Sequence, residues 1–178
     1  MIPIWRPKRA ALATCLVEFT LKEGALRGAG LNLRAAWGRA GIRREKIEGD
    51  GATPAGVLRL MRVLYRPDRL AAPRSAVPAT SLSPEDAWCD DPADPAYNCP
   101  VRRPYGASHE ALWRDDAVYD IIGVLDWNLD PIVAGRGSAI FLHLATPDYT
   151  PTAGCIALSP PDLQAALAKG LRAIHVSE

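Results

Sequence analysis

The chain has 178 residues, nearly half of them apolar, the size of one ordinary domain with apolar surface enough for its own core, and residues 1–178 are read as a single domain. Its 21 basic and 20 acidic residues are spread along the chain and leave a formal net charge of +1, which excludes the basic stripe of a nucleic-acid binder. No apolar run approaches the roughly 18 residues of a membrane span.

Arg6, Lys8 and Arg9 precede "AALATCLV", an arrangement that imitates the front of a secretory signal. The apolar part is short and Glu18 follows without a small-residue cleavage site, so the segment is read as a β-strand and no export signal is assigned. "ATCLVEFTL" and "LNLRAAW" have β-compatible side chains, with Gly24, Gly28 and Gly30 marking a turn between them. "IRREK" (Ile42 to Lys46) reads as a solvated turn or strand end. "EGDGATPAG" (Glu48 to Gly56) lacks the Gly-Lys-Ser/Thr ending of a phosphate loop and reads as a tight loop feeding the strand "VLRLMRVLY", Val57 to Tyr65.

Between Arg66 and Arg114 the character changes. Eight of the 16 prolines fall between Pro67 and Pro104, yet Trp88, Tyr97, Tyr105 and Trp113 are scattered through the same stretch. A disordered linker is poor in aromatic residues, so this is read as a long ordered loop packed on the sheet, of the kind that usually carries function. "ASHEALW" within it, with His109 and Glu110, reads as a surface pair at a helix start in preference to a catalytic or substrate-lining pair. Trp88 and Tyr97 suit either a wall of a cleft or anchors of the loop.

"AVYDIIGVLDW" (Ala117 to Trp127) and "SAIFLHLA" (Ser138 to Ala145) read as two apolar strands joined by the turn formers of "NLDPIVAGRG". "SPPDLQAALAKG" is the clearest helix: Ser159 suits the N-cap, Pro160 the first turn and Gly170 the C-terminal stop, with Leu163, Ala166 and Leu167 on one face. "LRAIHVS" alternates as a last strand. The expected fold is mainly β, with one well-signalled helix and a long ordered Pro-rich loop.

Of the four cysteines, Cys15, Cys89, Cys99 and Cys155, none forms a CxxC pair, and the three histidines show no metal-ligand spacing, so no metal site is expected. Cys89 and Cys99 flank a Pro/Asp-rich loop and are compatible with a disulfide in an oxidising compartment. The chemistry-bearing stretch is "FLHLATPDYTPTAGCIAL". His143 stands near the end of an apolar strand and Cys155 follows twelve positions later, behind Gly154. An imidazole that takes or offsets a thiol proton makes the sulfur a nucleophile, and backbone N–H groups in a tight turn stabilise an oxyanion. By residue type alone a cysteine is usually a buried small hydrophobe and a strand histidine a core residue, so the pair by itself leaves both readings standing.

The wider pattern narrows them. A strand-borne His, an intervening loop, then Thr152, a variable residue, Gly154 and Cys155 resembles the signature of the L,D-transpeptidase catalytic domain family, the YkuD type. "GDGATPAGVLRL" is similar to that family's Thr-Pro-x-Gly segment leading into a strand, so the resemblance covers roughly Gly49 to Leu167. It implies a β-sandwich-like domain in which Cys155 is the nucleophile, His143 the base and later the acid, and the Gly154 and Cys155 N–H groups the oxyanion donors, with Thr152 shaping the turn. It further implies acyl transfer on peptidoglycan stem peptides through a Cys thioester, with no cofactor, in the cell envelope or periplasm. A hydrolase on the same scaffold and a non-catalytic peptidoglycan-binding module are the alternatives, and a monomer is compatible with the sequence. Two positions depart from the family pattern: Ala153 replaces its His or Lys, and Ala157 its Arg. Arg136 is the candidate to replace that Arg, although a solvated turn arginine is the preferred reading of it. Trp88, Tyr97 and Tyr149 are the other candidate substrate-binding residues.

Overall fold

The computed structural model describes residues 17–178. Cys15 and nearly all of the signal-like segment lie outside them. The strands in chain order are β1 (Val17–Lys22), β2 (Ala25–Gly28), β3 (Leu31–Ala36), β4 (Ile42–Arg43), β5 (Thr53–Pro54), β6 (Gly56–Tyr65) and β7 (Ala79–Ser81). They continue with β8 (Asp86–Cys89), β9 (Pro100–Arg102), β10 (His109–Ala111), β11 (Ile121–Leu125), β12 (Phe141–Leu144), β13 (Ile156–Leu158) and β14 (Leu171–Val176). The helix α1 (Pro160–Ala168) sits between the last two strands, and a 3-10 turn (Ala117–Tyr119) precedes β11.

The protein is mainly β. Its main sheet runs β11-β12-β13-β3-β2-β1-β14-β6-β7, and β11 also pairs with β6. That last pairing closes eight of the strands into a ring and leaves β7 as an added edge on β6. The resemblance implies a sandwich of two sheets; here hydrogen bonding continues around the ring, which removes the exposed edges that an open sheet must protect. Gly24 and Gly30 turn the chain at left-handed φ, but the segment between them is itself the strand β2, too short to announce itself by alternation.

The helix forms where its sequence places it. Ser159 Oγ accepts from Asp162 N at 3.3 Å, and Leu163, Ala166 and Leu167 are buried. These three share one core with Phe19, Leu26, Leu58, Leu142 and Ile174. A second core lies on the opposite side of β11 and β12, under the Pro-rich excursion. In β11, Ile121 and Leu125 belong to the first core while Ile122 and Val124 belong to the second. In β12, Leu142 and Leu144 face the first core and Phe141 the second. A period of two therefore turns His143, two residues on from Phe141, toward the excursion.

The excursion is ordered. Its strands β10, β8 and β9 form a three-stranded sheet, and β7 adds to β6. Trp88 is buried, donates Nε1–H to Asn98 Oδ1 at 2.9 Å and meets the Phe141 ring edge-on at 5.3 Å. Cys89 N–H donates to Cys99 C=O at 2.9 Å, and both cysteines are free thiols. "ASHEALW" holds the strand β10 instead of a helix start. Lys46 in "IRREK" is not solvated but 5% exposed, with Nζ 2.7 Å from Asp50 Oδ1. No helix among the described residues is long and apolar enough to cross a membrane.

Candidate active site

β12 and β13 run parallel and adjacent, with His143 opposite Ala157. The loop 145–155 carries the chain back to the start of β13, so Cys155 stands level with Phe141, two positions along from His143. Cys155 and His143 line one cleft of about 490 Å³. The Cys155 thiol is 8% exposed, donates to Ala139 C=O at 3.2 Å, and its sulfur accepts Phe141 N–H at 3.4 Å. His143 Nδ1 lies 2.9 Å from Leu144 C=O. A carbonyl can only accept, so Nδ1 carries the proton and Nε2 keeps the lone pair. Burial pushes the Cys155 pKa up to about 12 and the His143 pKa down to about 4. The resting pair is thus neutral thiol and neutral imidazole.

The turn before the cysteine is held from two directions. Thr152 Oγ1 donates to Cys155 C=O at 2.6 Å and accepts Gly154 N–H at 3.1 Å. The Gly154 N–H expected to serve an oxyanion is therefore already engaged. From the other side, Thr53 in β5 is fully buried; its Oγ1 accepts Gly38 N–H at 2.8 Å and donates to Gly154 C=O at 2.8 Å. This is the physical role of the Thr-Pro-x-Gly segment: one hydroxyl ties the loop 37–55 to the cysteine turn. Thr53→Val removes that hydroxyl while nearly keeping the volume, and leaves two buried backbone groups without partners. Such groups cost about 1–3 kcal/mol. Urea unfolding of Thr53→Val should show a loss of about 2 kcal/mol; an unchanged midpoint would mean that the tie contributes nothing.

The chain matches the family model of the L,D-transpeptidase catalytic domain (YkuD) over residues 20–169, which take in the His143 strand, the turn and the helix after it. It belongs to that family. A comparison with curated proteins finds no match. L,D-transpeptidase domains act on peptidoglycan.

The other sequence-predicted residues of this L,D-transpeptidase domain divide clearly. Arg136 is exposed, stands over the Trp127 ring at 5.4 Å and does not line the cleft. Trp88 and Tyr97 do not line it either; they anchor the excursion. The Tyr97 hydroxyl donates to Glu48 and accepts Gly137 N–H at 3.0 Å. Tyr149, at φ 59°, lies under Arg34, whose guanidinium is 4.1 Å from the ring centroid, and lines an adjoining hollow with Trp37. Arg39 and Pro151 border both spaces.

Several cleft residues were not identified from sequence. Arg39 is an exposed cation on the rim. Although burial alone would raise it, hydrogen bonds from Lys46 and from the Ala52 and Ile47 N–H groups hold the Asp50 carboxyl below its ordinary pKa. Glu110, read as half of a surface pair, lines the cleft and accepts from the Tyr119 hydroxyl at 2.6 Å. The Tyr119 ring meets the His143 ring at 5.3 Å, edge-on. His109 alternates to the other side of β10, with Nδ1 on Ala107 C=O at 2.8 Å. The signal for Glu110 was the alternation of "HEA", three residues long and indistinguishable from a helix start.

Proposed function

We propose that this protein is a cysteine acyltransferase that carries out L,D-transpeptidation on peptidoglycan stem peptides in the cell envelope, with residues 1–178 as one catalytic domain. The observation that carries the reading is the shared cleft of Cys155 and His143 at the family's turn. Cys155 Sγ attacks the carbonyl carbon that precedes a terminal D-alanine, and its proton passes to His143 Nε2. Cys155 N–H receives the oxyanion, since Gly154 N–H is held by Thr152. The C–N bond breaks as His143 returns its proton to the departing D-alanine amine, leaving a thioester. An acceptor amine then attacks that thioester, gives a proton to His143, and the thiol is re-formed by the same proton.

Arg39 takes the part first assigned to Arg136. It stands on the cleft rim as a cation for the D-alanine carboxylate. Trp88, Tyr97 and Tyr149 act one step removed: the first two fix the excursion that forms one wall, and the third borders the adjoining hollow.

The test is mass spectrometry of the wild-type protein with a tetrapeptide muropeptide and an excess of a D-amino acid. Loss of D-alanine with incorporation of the added amino acid is the expected result. Loss without incorporation assigns a hydrolase, with water in the place of the amine. Neither conversion nor a protein adduct, from folded protein, overturns the enzymatic reading and leaves a peptidoglycan-binding module.

A further inference from the structure

Lys46 lines the same cleft as Cys155 and is 5% exposed, a buried cation that the reaction as written leaves unused. Both ends of its side chain are located by neighbours of the thiol. A Cβ built on Gly137 would lie 3.0 Å from Lys46 Cε and 3.1 Å from its Cγ, so the stem runs directly against the segment 137–139. Ala139 C=O, in that segment, accepts the Cys155 thiol at 3.2 Å. At the other end, Nζ donates to Asp50 Oδ1 at 2.7 Å, and the same oxygen accepts Ala52 N–H at 2.8 Å. Ala52 is the residue whose C=O abuts the Gly154 turn. The ammonium is therefore set beside the segment that holds the thiol and beside the loop packed on its turn.

An ammonium has three N–H donors. Lys46 gives one to Asp50 and one to Ile47 C=O at 3.3 Å, and among the described residues no acceptor takes the third. A buried ion pair returns little net stability, because desolvation offsets the attraction. A spare donor on the wall of a cleft is better explained by an acceptor that forms there during reaction. The turn is also short of a donor, since Gly154 N–H is given to Thr152 Oγ1 at 3.1 Å. Burial and then Glu110 hold the Cys155 thiol protonated, while Phe141 N–H and the Lys46 charge act the other way. A cation that favours negative charge on the sulfur also favours it on an oxygen one carbon away. Arg39 is on the exposed rim and Arg114 is tied to Asp116 at 2.6 Å, so neither duplicates Lys46.

We propose that Lys46 is a catalytic residue whose third N–H, together with Cys155 N–H, receives the oxyanion formed on the attacked carbonyl. As Sγ bonds to the carbonyl carbon, the C=O π pair moves onto oxygen; Lys46 donates a hydrogen bond to it and keeps its proton. When the C–N bond breaks, the pair returns and the carbonyl of the thioester is formed. The role deepens the acyl-transfer reading and rests on it.

The test pairs kinetics with NMR. Lys46→Met/Asp50→Asn removes both charges together, so neither is left buried alone. In the D-amino acid exchange assay its kcat should fall about 10²-fold, the usual cost of one oxyanion donor, with KM within about threefold of wild type. Urea unfolding of the same variant should show a midpoint close to that of wild type. A retained kcat overturns the proposal, as does a higher KM at unchanged kcat, which would make Lys46 a contact of the unreacted substrate. In the unsubstituted protein the probe is the stem tripeptide ending in an aldehyde, compared with the same peptide ending in an alcohol. Only the aldehyde bonds to Sγ and puts an oxygen where the oxyanion forms. The ¹⁵Nζ signal of Lys46 should move with the aldehyde and not with the alcohol, a response that a purely structural lysine does not give. An equal response to both overturns the proposal, and a variant that fails to fold leaves this measurement standing. D-alanine release with a silent Lys46 signal rejects the lysine and keeps acyl transfer; a Lys46 response to the aldehyde without D-alanine release does the reverse. Neither an aldehyde adduct nor D-alanine release removes both.

Discussion

Replacing His143 by Asn is expected to lower acyl transfer at pH 7 by about 10³-fold, within the 10²–10⁴ usual for a positioned base, and Cys155→Ala to abolish it. The reason lies in the charge state of the pair. With its pKa pushed up to about 12 by burial, the Cys155 thiol at pH 7 is ionised in only about one molecule in 10⁵. It needs a base at the moment of attack. His143, lowered to about 4 by burial, is neutral at pH 7 and offers Nε2 for that purpose. The sign follows directly: the dependence of kcat/KM on His143 should fall away only as pH drops toward 4, not at the ordinary imidazole value near 6.5. Alkylation of Cys155 by iodoacetamide, read by peptide mass spectrometry, should rise about tenfold per pH unit from 7 to 10. A rate that is flat between pH 6 and 8 would show a thiolate–imidazolium pair already formed, and the neutral-pair account would be wrong.

The parts of this site differ in how far the sequence announces them, and the difference is one of range. The helix was legible because its determinants are local: Ser159, Pro160 and Gly170 act within a few residues of where they stand. The pairing of His143 with Cys155 was legible because a single loop separates them and the strands they border are neighbours. The closed ring was not, since it depends on β6 meeting β11 and β14 across half the chain, and no local pattern distinguishes a strand in a ring from one in an open sheet. Glu110 failed for a related reason. Its strand is three residues long and acquires its face only by pairing with Ala87–Cys89. Arg136 was a candidate because it is near His143 in sequence, with a solvated turn arginine as the preferred reading, which its exposure matches; Arg39, about a hundred positions upstream, reaches the cleft because Thr53 fastens the loop 37–55 to Gly154. Lys46 looked like part of a solvated basic run, and only the approach of Asp50 in the folded chain makes its burial tolerable.

Gly154→Ala is expected to damage both the stability of the fold and the rate. Gly154 has φ 144°, a region L-residues rarely adopt, and a Cβ there would lie 2.9 Å from Ala52 C=O and 3.4 Å from Ile140 Cδ1. The obstacle at Ala52 is backbone, and it cannot retreat. Ala52 N–H is bound to Asp50 Oδ1 at 2.8 Å, and the next residue, Thr53, holds Gly154 C=O at 2.8 Å. Backbone strain of about 1–3 kcal/mol and overpacking of a similar size therefore fall on the same residue. The natural control is Gly56→Ala, where φ is 114° but nothing lies within 4 Å of the added carbon. Both variants should lose stability in urea, Gly154→Ala by about 2 kcal/mol more than Gly56→Ala, the margin being the collision with Ala52. Because Cys155 follows directly, relief of that collision must shift the thiol relative to His143, and a misplacement on the order of 1 Å costs about 10²-fold in rate. Gly56→Ala should leave the rate within about threefold of wild type, since its strain is relieved away from the turn. Equal destabilisation of the two variants, with activity retained in Gly154→Ala, would mean that the turn yields where the geometry says it is clamped.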